Sequence, residues 1–459
     1  MLLNTLFTSF LLTEAVVLLL FSFYSILVLA PSAVAFSGSS LFPSLVHSSP
    51  TLLQNIHFHR RSFMPSTVGV ATATATAAAA SSSSSSSTST TTKADLTLVG
   101  GISDIVNDYD VFLLDMWGVM HDGYTAFDGV IECIQKLRAA GKRIIIVSNS
   151  SQRKQNSVRN LERLGFDPTN DFEQIITSGE VSFQLLSSPS PSSSSSGPFA
   201  SKEELGGCCE PWNTLTKIQN ANQQQGKNNK VLVLGTSDER DVPYVEGCGW
   251  DFAPIEEADL ILACGTFTVN DGNGNDINKR TDADAYNVAL TRALRIGAAR
   301  GIPMMVSNPD KIRPDCERPP MPGRLGDLYE MALVEHGGKT KAEAEALVKR
   351  IGKPFQEVFD IALKDTLDTS RACMIGDALE TDVTGGRNAG IDTIWILKDG
   401  VYLPELEEAA AQGTSLLEGA QAILEDFNMN VINAKKDMGT TCYAMERQMP
   451  TVAMPHFRW

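Results

Sequence analysis

The chain has 459 residues, enough for two or three domains. It carries 38 Lys and Arg residues against 54 Asp and Glu residues, a formal net charge of −16. Nucleic acids and anionic membranes would repel so acidic a chain, so neither is an expected partner of the mature protein. The expected partner is a small substrate, and the composition is also compatible with an oligomer.

The first 94 residues are predicted to be a targeting region in two parts. Residues 1–35 are strongly apolar and end in Ala33-Val-Ala35, the small-x-small pattern of a signal-peptide cleavage site. Residues 36–94 contain no Asp or Glu and are rich in Ala, Ser and Thr, as in a transit peptide. The combination resembles the two-part presequence of algae with complex plastids and predicts plastid import. The alternatives are a membrane anchor in the secretory pathway and mitochondrial import after a start at Met64.

From residue 95 onward apolar strands alternate with amphipathic helices, which predicts a parallel sheet covered on both faces. Two amphipathic helices are expected within 405–426, and 450–455 is expected to be an extended strap. The other predicted elements are strands 109–115, 142–148, 230–234, 259–264, 303–307, 372–377 and 391–397, and helices 129–140, 153–164, 282–299, 324–336, 355–364 and 380–389.

The eight cysteines are scattered without the paired spacing of metal ligands. This favours reduced structural thiols over a zinc site or a disulfide framework. Cys133, Cys264 and Cys373 lie in apolar runs. We therefore expect these three in the core, where cysteine behaves as a small hydrophobic residue.

Carboxylates follow two of the predicted strands directly. Asp115 ends the first strand, and Asp377 and Asp382 follow the strand that begins near residue 372. Ligands of open α/β sheets bind at the carboxyl ends of the strands. Three carboxylates there would repel each other unless a cation lies among them, and hard oxygen ligands suit Mg²⁺. The sequence therefore predicts a magnesium site.

Four short motifs resemble those of the haloacid dehalogenase superfamily in their order. They are Asp115 with Gly118, Ser148 after an apolar strand, Lys353-Pro354, and Gly376-Asp377 through Asp382. The match is to class IIA, the nitrophenylphosphatase-like branch. Within it, an uncharacterised subfamily with a D-x-W-G-V nucleophile motif resembles this chain at 115–123, 176–180, 307–310 and 457–459. One such motif is weak, whereas four in order are specific.

The resemblance implies a Rossmann-like α/β core with an inserted α/β cap domain. Ser148 and Lys353 would then share one site although they stand 353 − 148 = 205 residues apart. That gap is longer than a few strand–helix units of the core require, so the excess is assigned to the cap. The expected layout is core 95–170 and 301–430, cap 171–300 with a disordered Ser/Pro- and Asn/Gln-rich insertion at 187–229, and a C-terminal extension at 431–459.

The resemblance also implies a role for each matched residue. Asp115 would be the nucleophile that forms an aspartyl-phosphate, and Lys353 would neutralise the transferring group. Ser148 and Asn149 would bind phosphate oxygens. The Mg²⁺ ligands would be Asp115, Asp377, Asp382 and the backbone carbonyl of Trp117. The strand end at Ser307-Asn-Pro-Asp310 makes Asn308 and Asp310 second-tier site candidates.

Trp117 departs from the usual pattern of these phosphatases, which have an acid–base aspartate two residues after the nucleophile. An indole cannot transfer a proton, because its nitrogen is only a donor, and general acid–base help is typically worth ~10²–10⁴-fold in rate. Three interpretations follow: a substrate whose leaving group needs no proton, a substitute such as His121 or Asp122, or a site that only binds a phosphorylated ligand. For the Trp117 side chain, contact with the substrate and simple packing between core and cap are equally expected.

The predicted function is Mg²⁺-dependent hydrolysis of a small phosphorylated metabolite. A catalytically weak or inactive phosphometabolite-binding protein is the alternative. Dehalogenation is the weaker alternative: an aromatic residue in place of the second aspartate is found in carbon–halogen-cleaving members, but those enzymes do not need the acids that this chain retains at Asp377 and Asp382.

Overall fold

The computed structural model describes residues 96–187, 212–236, 240–270, 276–313, 319–436 and 448–459. All of them belong to one compact unit, Ser89–Trp459. The predicted signal and transit segments, 1–35 and 36–94, lie outside the described residues. In the part of the chain that is described, no helix has the length and apolar character needed to cross a membrane.

Strands and helices alternate through most of the described chain. The strands are β1 Val111–Leu114, β2 Arg143–Ser148, β3 Gln174–Thr177, β4 Asn229–Gly235, β5 Trp250–Phe252, β6 Leu260–Ala263, β7 Thr268–Asn270, β8 Ile277–Asn278, β9 Met304–Val306, β10 Val348–Arg350, β11 Ala372–Gly376, β12 Asp392–Ile396 and β13 Val452–Met454. The helices are α1 Val130–Ala139, α2 Lys154–Arg163, α3 Pro168–Asp171, α4 Ser178–Ser187, α5 Trp212–Gln224, α6 Asp241–Gly247, α7 Ala283–Arg300, α8 Pro322–Glu335, α9 Lys341–Leu347, α10 Gln356–Leu363, α11 Thr384–Asn388, α12 Leu403–Ala411 and α13 Leu416–Lys436. Single helical turns lie at Ile102–Asp104 and Thr369–Arg371, and a π-helical turn, Leu379–Val383, leads into α11.

The first sheet has the strand order β13-β12-β11-β1-β2-β3, and every neighbouring pair is parallel. Its central strand β1 is buried along its whole length, as expected for a parallel sheet with helices on both faces. The alternate residues Val111 and Leu113 contact one core cluster, while Phe112 and Leu114 contact the other. The predicted Rossmann-like α/β core is confirmed.

The second sheet forms the cap. Its order is β10-β9-β6-β4-β7-β8, and β5 pairs in parallel with the first three residues of β4. Strands β4, β6, β9 and β10 run parallel to one another, whereas β7 pairs antiparallel with β4, and β8 pairs antiparallel with β7. Its own core lies between this sheet and α7–α9, with Tyr329 fully buried among aliphatic side chains. The inserted cap domain is thus present.

The predicted boundaries of the cap were wrong at both ends. Strand β3 pairs with β2, so the first part of the core continues past residue 170 to Thr177. Strands β9 and β10 pair in the cap sheet, so the cap continues past residue 300 to Arg350. A buried strand followed by an amphipathic helix has the same local pattern in either domain. Only strand pairing, which is non-local, assigns such a unit to one sheet.

The predicted disordered insertion at 187–229 was wrong for its second half. Residues 212–224 form α5, and Leu215 is buried against the cap and core cluster. A polar composition hid this helix, because one buried leucine in an Asn- and Gln-rich stretch gives little hydrophobic periodicity. The Ser/Pro-rich part, 188–211, lies outside the described residues.

The C-terminal segment completes the core rather than extending from it. β13 pairs with β12 at the edge of the sheet, and Ala453 also exchanges backbone hydrogen bonds with Thr97 and Val99. Phe457 is fully buried. The prediction of a separate extension at 431–459 was therefore wrong for 452–459. A three-residue strand flanked by prolines is too short to be recognised from periodicity, and residues 437–447 lie outside the described residues.

Candidate active site

Three carboxylates meet at the carboxyl edge of the core sheet. Asp115 follows β1, Asp377 follows the neighbouring strand β11, and Asp382 lies in the π-helical turn after β11. One oxygen from each side chain lies within 4.8 Å of the other two. The structure thus brings together the three acids that the sequence placed at strand ends. Among the described residues, this is the only acidic or thiol cluster with such spacing.

Backbone groups fix each carboxylate in place. The N–H of Met116 donates to Asp115 Oδ1 at 2.8 Å, and the N–H of Val401 donates to Asp377 Oδ2 at 2.8 Å. The N–H of Ala378 donates to Asp382 Oδ2 at 3.0 Å. These bonds orient the acids before any ligand arrives, which is what a metal or phosphoryl site requires.

Two glycines allow the acids to approach so closely. Gly118 has φ +73°, a left-handed conformation that favours glycine, and a Cβ there would lie 2.4 Å from Asp377 Oδ2. A Cβ on Gly376 would lie 2.0 Å from Asp382 Cγ. Any side chain at either position would displace a carboxylate. The motif glycines are therefore part of the geometry of the acid cluster.

Lys353 lies between two of the acids. Its Nζ is 2.8 Å from Asp115 Oδ1 and 2.7 Å from Asp382 Oδ1, and its side chain is 1% exposed. Burial by itself would lower the pKa of Lys353, but the attraction of Asp115 and Asp382 outweighs it and raises the pKa above its ordinary value. Lys353 is therefore a fixed positive charge. It comes from the crossover between β10 and α10, where the chain returns from cap to core.

One ammonium does not compensate three clustered carboxylates, of which Asp377 and Asp382 are buried. Burial raises the pKa of Asp377 well above its ordinary value, and repulsion from Asp382 and Asp115 raises it further. Burial likewise raises the pKa of Asp382 to about 6, although Lys353 opposes the shift. The site has an excess of hard oxygen donors held at short separation. This donor set fits Mg²⁺, which binds through carboxylates and retains positions for water or phosphate.

Asn149 has a different use from the predicted one. Its Oδ1 accepts from the backbone N–H of Lys353 at 2.7 Å, and its Nδ2 donates to the Lys353 carbonyl at 3.0 Å and to Asp310 Oδ1 at 2.8 Å. Both amide hydrogens are thus engaged, so the side chain cannot also bind phosphate. Asn149 instead holds the crossover that carries Lys353. This interaction was not predicted from the sequence, because the bonding partner is 204 residues away.

The other two predicted phosphate ligands, Ser148 and Asn308, lie nearby and differ in which hydrogen-bonding groups remain available. Ser148 ends β2 next to β1, and its Oγ accepts from the N–H of Ser150 at 3.3 Å, which leaves the hydroxyl hydrogen available for an anion. Asn308 is buried, and its Oδ1 accepts from the N–H of Asp310 at 2.9 Å. That bond closes a turn and makes Asn308 a turn residue in this conformation.

Trp117 packs between core and cap. Its indole is partly buried and meets the edge of the His121 ring at 5.8 Å between centroids. From the chain beyond β9, the guanidinium of Arg313 lies 5.8 Å from the Trp117 ring centroid, within range of a cation–π contact. Sequence reasoning did not find Arg313, since nothing in its local pattern indicates a contact with a residue so distant in sequence.

Neither substitute proton carrier is suited to the task. His121 is fully buried, and its Nδ1 accepts from the N–H of Gly123 at 2.9 Å, so the neutral ring carries its proton on Nε2. Asp122 closes a turn by accepting from the N–H groups of Tyr124 and Thr125. Burial by itself would raise the pKa of Asp122, but these hydrogen bonds hold it below its ordinary value. Both residues stabilise the turn after Trp117.

The buried imidazole predicts a specific acid sensitivity. Burial lowers the pKa of His121 from 6.5 to about 4. Between these two pH values His121 is protonated in the unfolded chain but not in the folded chain. The free energy of unfolding therefore falls as pH decreases from 6.5 to about 4, by about 3 kcal/mol in total. His121→Asn keeps an acceptor for Gly123 and removes the titration. Its melting temperature should fall less than that of the wild type over this pH range, and equal slopes would contradict the assignment.

Comparisons with known proteins agree with this architecture. The family model "Haloacid dehalogenase-like hydrolase" matches residues 112–250, and a second, "HAD-hydrolase-like", matches residues 350–422. Glycerol-3-phosphate phosphatase of Gallus gallus is 26% identical over 338 residues, 72% of this chain and 91% of that protein. Phosphoglycolate phosphatase 2 of Arabidopsis thaliana is 26% identical over 312 residues, 64% of this chain and 84% of that protein.

One solved structure is similar to this chain. The haloacid dehalogenase-like hydrolase from Brucella suis 1330 is 24% identical, with a TM-score of 0.47, over 67% of this chain and 92% of that one. The first family match runs from β1 into the cap, and the second begins at the end of β10; together they include the strands that carry Asp115 and Asp377. The chain belongs to the haloacid dehalogenase superfamily and is a hydrolase, as the order of its motifs predicted.

Proposed function

We propose that the protein is a Mg²⁺-dependent phosphatase that hydrolyses a small phosphorylated metabolite through an aspartyl-phosphate on Asp115. The observation that carries the proposal is the position of Asp115, which shares one strand-end site with Lys353, Asp377 and Asp382. The names of its relatives support a small phosphorylated substrate, since they include phosphatases of glycerol-3-phosphate and phosphoglycolate.

Asp115 would attack phosphorus through Oδ2. Among the described residues, the N–H of Met116 and the ammonium of Lys353 both contact Oδ1, which leaves Oδ2 as the nucleophilic oxygen. The bond from Oδ2 to phosphorus forms as the bond to the leaving oxygen breaks, and water then releases orthophosphate from Asp115. Lys353 and the Ser148 hydroxyl would bind the equatorial oxygens, where charge is concentrated during transfer.

Mg²⁺ would be held by Asp115, Asp377, Asp382 and the Trp117 carbonyl, and would supply charge neutralisation for the phosphoryl group. Asp377 and Asp382 are retained and aligned, which favours phosphoryl transfer over carbon–halogen cleavage. A first test measures turnover of 4-nitrophenyl phosphate with Mg²⁺ and after its removal by EDTA. We expect activity only with the metal; equal rates under both conditions would contradict the assignment of the acids.

Trp117 predicts a steep dependence on the leaving group. Because neither the indole nor the two turn residues His121 and Asp122 can protonate the departing oxygen, that oxygen must leave as an anion. The logarithm of kcat/KM for a series of aryl and alkyl phosphates should fall steeply as the leaving-group pKa rises. Protonation by an enzyme group would raise kcat/KM by ~10²–10⁴-fold for the poorest leaving groups. A flat series would therefore reveal a proton donor that this account lacks.

A second candidate is a phosphometabolite-binding protein without turnover. The observation in its favour is again Trp117, since the site retains its phosphate-binding charges but not the proton carrier. Both candidates predict binding of phosphate and Mg²⁺. Turnover alone separates them, and a folded protein that binds inorganic phosphate but hydrolyses no aryl phosphate would support the second.

We further propose that the enzyme acts in a plastid. The proposal rests on the composition of residues 1–94, in which an apolar segment precedes an acid-free segment rich in Ala, Ser and Thr. Fusion of residues 1–94 to a fluorescent protein tests it in an alga with complex plastids. Fluorescence in mitochondria or in secretory membranes would favour the corresponding alternative.

A further inference from the structure

A cavity of about 500 Å³ lies beside the proposed nucleophile. Met116, Trp117 and Ser150 form one side of it. The N–H of Met116 is the group that donates to Asp115 Oδ1, and Ser150 is two residues beyond Ser148. The volume suits a small-molecule ligand. Because the cavity adjoins the phosphoryl site, it is placed to hold the rest of a substrate whose phosphate lies at Asp115.

Three arginines also line this cavity. Arg159 and Arg163 line it from α2, and Arg240 lines it from the start of α6 in the cap. The lining contains no Asp or Glu. In a chain with a net charge of −16, three guanidinium groups in one cavity are not what the overall composition predicts. Arg159 and Arg163 are four residues apart on one helix, so they lie on the same face.

The two helix arginines bond to neutral acceptors. Arg159 donates to the side-chain oxygen of Asn156. Arg163 Nη2 donates to Asn160 Oδ1 at 2.9 Å and to the Gly123 carbonyl at 2.9 Å. Among the described residues, no carboxylate forms an ion pair with either of them. Their charge is therefore oriented by hydrogen bonds but not neutralised, which suits recognition of an anion by a guanidinium fork.

We propose that this cavity receives the leaving-group part of the substrate and that Arg159 and Arg163 bind a second anionic group on it, a carboxylate or a second phosphate. The inference rests on the proposed phosphatase function. It defines the substrate class as phosphate esters whose leaving group is itself charged. The cap contributes Arg240 to the same cavity, so the substrate would contact both domains.

The test compares matched ligands with and without the second charge. Kinetics would use phenyl phosphate and 3-carboxyphenyl phosphate, with kcat/KM corrected by the leaving-group series described above. Binding would use phenylphosphonate and 3-carboxyphenylphosphonate, which are not hydrolysed, with Mg²⁺ present. A charged hydrogen bond is worth about tenfold to a hundredfold in affinity, so the carboxylate should improve kcat/KM and Kd by at least about tenfold.

Arg159→Gln is the informative variant. It removes the charge but keeps a polar side chain on an exposed face of α2, whereas Arg163 also holds the turn at Gly123. The preference for the carboxylated ligand should fall about tenfold in Arg159→Gln and partly recover in Arg159→Lys. Arg138→Gln is the matched control, since Arg138 is an exposed arginine on α1 that does not line the cavity. It should retain the full preference.

The outcomes separate the two proposals. Equal affinity for the charged and neutral phosphonates, or a preference unchanged by Arg159→Gln, would overturn the anionic subsite whatever the turnover. Absence of turnover with every phosphate ester would overturn the phosphatase function. A carboxylate preference in binding that depends on Arg159 would still support the subsite in that case.

Discussion

Asp115→Asn should abolish turnover while leaving the protein folded. Asparagine has nearly the same shape and can still accept from the N–H of Met116, but its amide oxygen is too poor a nucleophile to form the phosphoenzyme. Loss of a catalytic nucleophile typically lowers kcat by about 10³-fold or more. The fold should persist because Lys353 retains Asp382 as a partner at 2.7 Å. The measurement is kcat for 4-nitrophenyl phosphate together with the melting temperature.

The control for this variant is Asp360→Asn. Asp360 is an exposed acid on α10 that accepts from the side chain of Gln356, away from the acid cluster. It should retain wild-type turnover. Residual activity of Asp115→Asn within about tenfold of the wild type would mean that another group attacks phosphorus, and the assignment of the nucleophile would fail.

Lys353→Met should be the most destabilising single change in the site. The ammonium is buried between Asp115 and Asp382, and its removal leaves the buried carboxylate of Asp382 and the partly buried carboxylate of Asp115 without their shared counter-charge. Breaking a buried ion pair from one side typically costs about 3–5 kcal/mol. The expected result, measured by thermal or urea denaturation in EDTA at neutral pH, is a loss of stability of that size. Turnover should be lost as well, because the phosphoryl group loses its fixed positive charge.

Two further variants make this prediction specific. Lys364→Met removes an exposed lysine at the end of α10 and should change stability by less than about 0.5 kcal/mol. The double variant Lys353→Met/Asp382→Asn should be more stable than the sum of its single variants predicts, since each removes a partner of the other. Strict additivity would show that the ion pair observed here contributes little to the fold.

The core of the site could be predicted from the sequence because its residues follow long apolar strands. A run such as Val111–Leu114, bounded by polar residues, favours a buried strand, and the polar residue that follows it then lies at the sheet edge. The same argument placed Ser148 and Asp377 correctly. Cys133, Cys264 and Cys373 are buried free thiols, as their apolar surroundings predicted.

The interactions between distant parts of the chain could not be predicted. Asn149 bonds to the crossover at Lys353, and Asp310 accepts a hydrogen bond from Asn149, which lies 161 positions earlier in the sequence. Burial raises the pKa of Asp310 to about 7, although the hydrogen bond from Asn149 opposes the shift. Nothing in the local pattern Asn-Pro-Asp distinguishes this partly buried acid from an ordinary turn residue. Such roles depend on tertiary packing, as does the assignment of β9 and β10 to the cap.

Trp117, which replaces the usual second aspartate, makes packing contacts on both sides of its ring. The indole fills space between the turn at His121 and the guanidinium of Arg313 from the cap side. The position that holds the acid–base aspartate in most phosphatases of the superfamily is therefore occupied here by a side chain that packs between core and cap. In the proposed mechanism the enzyme would rely on its substrate for a good leaving group, which would link the Trp117 substitution to substrate choice.

The central claim is a covalent phosphoenzyme on Asp115, and rapid quenching tests it most directly. The full-length protein would be mixed with Mg²⁺ and an aryl phosphate labelled in its phosphoryl group, quenched in acid within one turnover, and digested for mass spectrometry. We expect the label on the peptide that contains Asp115, and no label in Asp115→Asn. Turnover by the wild type without any labelled peptide, or with the label on another residue, would contradict the account.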